Sequence, residues 1–199
     1  MNALAFALAL AAAAQPPEPQ PPNVIDIPAN TGKARLTVTS AEVKPNTLIP
    51  RDNSAYGKSL SPQVSWSKGP ASTKSYAVLM EDSDFHFPGG PPVTHWLVFN
   101  IPASVSSLPG GLPPQGAATA PAGLVNGNNV TGKPGYIGPR TPGAATHHFH
   151  LQVVALDTTA PLPEGASRDD FVKAIDGHVV GAGEVVGLFA GPDAPPAAK

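Results

Sequence analysis

The 199-residue chain contains no cysteine. That excludes disulfide staples, thiolate metal sites and a lipidated cysteine, so its fold rests on an apolar core alone. Excess positive charge is also missing: 12 Lys and Arg stand against 14 Asp and Glu, a formal net charge of −2. Phosphate neutralisation needs clustered cations, so no nucleic-acid partner is expected. Neither G-x-S-x-G nor H-E-x-x-H occurs, which removes the commonest serine-hydrolase and zinc-protease layouts. One G-x-x-x-x-G-K match, through Gly127, Gly132 and Lys133, continues into Pro134 instead of Ser or Thr and lacks a flanking strand and helix. It is therefore not read as a phosphate-cradling loop. Asn129 in "NVT" is a glycosylation sequon only in a host that glycosylates.

Long apolar runs are confined to the start. "MNALAFALALAAAAQPP" carries about a dozen apolar residues, against ~20 for a membrane-spanning helix, and ends in small residues with Ala12, Ala14 and Gln15 at an A-x-A-like site. No Lys or Arg precedes it. Residues 1–14 are expected to be a signal peptide, the protein periplasmic or secreted, and the mature chain without a transmembrane segment. Residues 15–33, including "QPPEPQPPNVIDIP", have the composition of a solvated polyproline-type linker. A single domain is expected over residues 34–190, with a tail at 191–199.

What the domain has is short segments rich in β-branched and aromatic residues, "ARLTVTSAEV", "QVSWS", "KSYAVLMED", "VTHWLVFNI" and "HFHLQVVALD", separated by Pro, Gly and Asn clusters. This predicts a mainly β, antiparallel protein. "YAVLM" and "WLVF" are nearly continuous in apolar character and predict central strands covered on both faces. The stretch from Leu108 to Pro142 reads as a long structureless loop. In "ASRDDFVKAIDGH", Ser167 and Asp170 form a capping-box pattern before Phe171, Val172 and Ile175, so a helix is expected there, ending at Gly177. "VVGAGEVVGLF" is ambiguous between helix and strand.

Three of the six histidines crowd into "HHFH" at the head of an apolar run. If the run is a strand, His147, Phe149 and Leu151 share one face while His148 and His150 share the other. A metal reading favours His148 and His150; a pocket reading favours His147.

The segments "SPQVSW", "YAVLMEDSD", "THWLVFNIP", "GYIGPRTPG", "HHFHLQVVALD" and "GHVVGAGEVVGLF" occur in one order from about Ile49 to Phe189. In that order the chain resembles the phosphatidylethanolamine-binding protein family and its bacterial Raf kinase inhibitor-like branch. The resemblance implies an antiparallel β-sandwich with a few flanking helices and a small anion-accepting pocket. The family's pocket motifs, D-P-D-A-P, a histidine before Trp, G-x-P-P-x-G and H-R-Y, fall here on Asp82 and Asp84, His95, Gly138 and Pro142, and His147 with Phe149. Ser83 and His86 stand where the first motif has prolines, His148 where the last has arginine and Phe149 where it has tyrosine.

The function so implied is a non-enzymatic binding module for a small anionic or phosphorylated ligand, with no cofactor, no metal and no catalytic residue. An inhibitor or regulator of a kinase-like or protease-like protein partner is the alternative, and a histidine-based metal site or hydrolase a third. Asp82 is expected to orient His95, with His147 as a second donor and amides around Gly135 and Gly138 forming an anion-binding concavity. Protonation of His95 or His147 is expected to strengthen anion binding as pH falls.

Overall fold

The computed structural model describes residues 22–111 and 123–193. The expected signal peptide and residues 194–199 of the expected tail lie outside those residues. Among the described residues nine strands make two sheets. The larger has the order β1 (Ala34–Arg35), β9 (Val179–Ala190), β8 (Thr146–Leu156), β4 (Ser75–His86), β5 (Pro92–Pro102) and β7 (Val125–Asn126). The smaller joins β2 (Val38–Thr39), β3 (Val64–Trp66) and β6 (Ser107–Leu108). Pairing is antiparallel except at the edge, where β1 runs parallel to β9.

Strand parity decides what lies on each side of the large sheet. Tyr76, Val78 and Met80 of β4, Trp96 and Val98 of β5, and Phe149, Leu151 and Val153 of β8 face Val38, Val64, Trp66 and Leu108 of the small sheet. This is the sandwich core. Ala77, Leu79, Leu97, Phe99, Val154 and Leu156 face the other way, onto Phe171 and Ile175 in the C-terminal part of the chain and onto Val24. The runs "YAVLM" and "WLVF" are apolar throughout because both faces are covered. "VVGAGEVVGLF" is strand β9, and its glycines fit close crossings: a Cβ at Gly183 would stand 2.1 Å from the Leu36 carbonyl oxygen.

Helix α1 (Arg168–Ala174) begins as expected. Ser167 accepts from the Asp170 amide, and the Asp170 carboxylate accepts from the Ser167 amide and hydroxyl.

Two expectations change. The described part of the expected linker, residues 22–33, is packed onto the domain. Val24 is fully buried in the outer cluster; its amide donates to Glu81, and the Ile25 amide donates to Gln152. The proline content masked a short "NVID" element with one apolar anchor. The loop after Leu108 is also less irregular than expected. Val125–Asn126 pairs with β5, and Asn129 is buried, its side chain bonded to Gly135 and Thr131. The side-chain amide of the sequon residue is thus enclosed in the folded chain, its N–H committed to Gly135.

Candidate functional site

The "DSD" segment ends the covered part of β4. Asp82 is directly opposite Phe149 of β8, and both lie on the sandwich side of the sheet with Met80 and Leu151. His147, two residues before Phe149, shares its face, as parity requires. His147 Nδ1 lies 2.8 Å from Asp82 Oδ2. A carboxylate only accepts, so Nδ1–H donates and Nε2 is the ring's remaining polar atom. The other Asp82 oxygen accepts from the Asp84 amide at 2.9 Å. Both oxygens of a nearly buried carboxylate are thus engaged.

His95 arrives by a different device. Met80 pairs with Trp96 and Glu81 with Thr94, so His95 is the extra residue of a β-bulge. Bulges re-aim a side chain, and this one sets the His95 ring edge-on to Phe149 at 5.2 Å. The His95 carbonyl accepts from the Ile137 amide at 2.9 Å, while its Nδ1–H donates to the Ile137 carbonyl at 3.0 Å. Burial holds the His95 pKa below the ordinary histidine value, against the opposing pull of the Ile137 and Gly138 backbone and the Asp82 charge. Burial thus favours the neutral ring, in which Nε2 is an acceptor.

These contacts correct the expected pairing: Asp82 orients His147, and a backbone carbonyl orients His95. Burial of His95 also works against the positive charge expected from it. The amide concavity is not formed as expected. Gly135 N–H donates to Gly127 and Gly138 N–H to the Ser59 hydroxyl. Gly138 instead serves close packing, since a Cβ there would stand 2.5 Å from the Asn53 carbonyl oxygen. Pro142 is exposed, and its neighbour Thr141 is the buried residue of that turn. Phe149 is fully buried, packed between His95 and Phe189.

Asp84 separates from Asp82. Its carboxylate accepts from the amide and Nδ1 of exposed His148; burial alone would raise its pKa, but those bonds lower it. His150 lies on the outer face and binds Glu184 and Ser83. Among the described residues no group of three or more His, Asp or Glu is placed to hold a metal ion. Tyr136 and Trp96 are buried in edge-to-face contact, as core residues.

Asp82, His95, His147 and Phe149 are thus brought together, while the side chains of Asp84 and Pro142 point to other partners or to solvent. Little of the constellation reaches solvent: the His147 side chain is 13% exposed and that of Asp82 6%. Clefts of about 300 to 380 Å³ lie elsewhere among the described residues, among them one lined by Lys33, Arg35 and Glu184 and one lined by Phe87, Pro92 and Val130. Sequence reasoning missed Ile137 and Ser59, which act through a carbonyl and a turn hydroxyl, groups that leave no pattern in a sequence.

The family profile described as "Phosphatidylethanolamine-binding protein" matches residues 39–190. The UPF0098 protein of Pyrococcus horikoshii is 39% identical over 145 residues, 72% of this chain and 71% of that protein. That of Methanothermobacter thermautotrophicus is 36% identical over 141 residues, 71% of this chain and 89% of that protein. Among solved structures, E. coli YbcL, titled a new member of the mammalian PEBP family, superposes with a TM-score of 0.73 at 29% identity, covering 79% of this chain and 99% of YbcL. Matching sequence blocks, a two-sheet sandwich and a profile spanning most of the domain agree, and the chain belongs to the phosphatidylethanolamine-binding protein family.

Proposed function

We propose that the protein binds a small anionic or phosphorylated ligand, without chemistry at that site, against His95 and His147. The observation that supports this is the opposite preparation of the two rings. Burial favours the neutral form of His95, with its Nδ1–H committed to Ile137, so its Nε2 accepts a hydrogen bond from a ligand O–H. His147 is held by Asp82 through Nδ1, so its Nε2 becomes a donor when the ring is protonated. A group bearing both an acidic O–H and a negative oxygen, such as a singly protonated phosphate, satisfies both rings at once. Export to the periplasm or the exterior is part of the same proposal and rests on residues 1–14.

Calorimetric titration with inorganic phosphate and phosphoethanolamine tests this reading. Loss of a hydrogen bond to a charged group is worth ~1.5–3 kcal/mol, so His147→Gln is expected to weaken binding about 10–100-fold. His148→Gln, on the other face, is expected to leave it unchanged. Equal affinity in wild type and His147→Gln would refute the proposed site.

A further inference from the structure

On the outer face of the large sheet, opposite the Asp82–His147 pair, three side chains from adjacent strands make a chain of hydrogen bonds. Ser83 Oγ of β4 lies 3.1 Å from His150 Nε2, and His150 Nδ1 of β8 lies 2.8 Å from Glu184 Oε2 of β9. The pairing explains the alignment. Glu81 is opposite His150 and Gln152 opposite Glu184, so Ser83, His150 and Glu184 step diagonally across one sheet face. Because Glu184 accepts from Nδ1–H, the neutral ring presents its Nε2 lone pair to the Ser83 hydroxyl. A hydroxyl, a base within hydrogen-bond reach and a carboxylate that fixes the base are the parts of an activated nucleophile. All three are partly exposed: the His150 and Glu184 side chains are 17% and 28% accessible, and Ser83 is half-buried.

We propose that Ser83, His150 and Glu184 form a second site that accepts an acyl group from a small activated ester. Ser83 Oγ attacks the ester carbonyl carbon while its proton passes to His150 Nε2. Collapse of the tetrahedral adduct breaks the ester C–O bond, and the leaving oxygen takes the proton from His150, giving an acyl-serine and an alcohol. Water, deprotonated by the same ring, then releases the carboxylic acid and restores Ser83. Glu184 stays ionised throughout. Asp26, Glu81 and Glu184 surround the ring, which favours a neutral or cationic ester over an anionic one.

The site is incomplete in one informative respect. The amide following the nucleophile commonly stabilises the oxyanion, but here the Asp84 amide is donated to Asp82 Oδ1. Acylation by a good leaving group is therefore expected to outrun turnover, so that acyl-Ser83 accumulates.

The test uses p-nitrophenyl acetate on the full chain, with release of nitrophenolate followed in time and the Ser83 peptide weighed by mass spectrometry. A burst approaching one equivalent with acetyl on Ser83 is expected. It should be lost in Ser83→Ala, retained as a thioester in Ser83→Cys, and slowed about 100-fold or more in His150→Gln. The rate should rise with pH as His150 loses its proton. Burial pulls its pKa down, but the Glu184 hydrogen bond and charge, with Asp26 on the N-terminal segment and Glu81 on β4, hold it above the ordinary histidine value. No acetyl on Ser83 in either the wild-type or the Cys form, or a rate and pH profile untouched by His150→Gln in a folded variant, would overturn the proposal.

Discussion

Arg168→Ala isolates a buried charge. Glu81 is fully buried on the outer face of β4, where its carboxylate accepts from Arg168 Nε, from Gln152 Nε2 at 2.6 Å and from the Val24 amide at 3.1 Å. Arg168 also donates to the Pro22 carbonyl, so one guanidinium fastens both the carboxylate and the N-terminal segment. Removing it leaves a buried carboxylate with two neutral donors. Breaking such a pair from one side costs about 3–5 kcal/mol, because the remaining charge stays desolvated. At roughly 2–4 °C per kcal/mol for a domain of this size, the melting temperature is expected to fall by about 6–20 °C. The double variant Glu81→Gln, Arg168→Met removes both charges and keeps an acceptor for Val24, so it is expected to recover most of the loss. Urea unfolding at neutral pH, with a midpoint shift at constant slope, measures both. Hydrogen exchange should show the Val24 and Ile25 amides opening first in Arg168→Ala. A loss below about 1 kcal/mol, within the range of a solvated surface pair, would mean that the N-terminal segment does not cover Glu81.

Ser167→Ala removes the reciprocal capping box of α1 and should cost about 1 kcal/mol in urea unfolding without altering phosphate binding. His95 and His150 should give stability opposite pH slopes. The folded pKa of His95 is lowered, so the unfolded chain takes up the proton first and stability falls as pH drops below about 6.5. That of His150 is raised, so its contribution is complete below about 6.5 and is lost as pH rises through the folded value. Urea midpoints across pH 5–8 should therefore show a flattened acid limb in His95→Gln and a flattened slope above about pH 6.5 in His150→Gln; unchanged slopes in either variant would contradict the burial and ion-pair assignments.

The central strands, the helix cap and the faces of the β8 histidines were legible because each rests on a local period or a fixed spacing. His147 with Phe149 and His148 with His150 divide between the two faces as strand parity demands. The partner of Asp82 was not legible. A single extra residue in β5 turns His95 toward Ile137, and nothing in "VTHWLV" marks a bulge that arises from pairing with a distant strand. The N-terminal segment was misread for a related reason. Its prolines describe a linker, while its one buried valine and two donated amides gain meaning only from Glu81 and Gln152, 57 and 127 residues away. Ser83, His150 and Glu184 likewise converge only through cross-strand register.

The most direct measurement for the binding site is the ring-nitrogen NMR spectrum of the histidines during titration with inorganic phosphate. The Nε2 resonances of His147 and His95 are expected to move together and saturably, while those of His148 and His178, paired with Asp84 and Asp157 elsewhere, stay in place. Movement of His148 with His147 and His95 unmoved would place any anion on the opposite face of β8 and contradict the site.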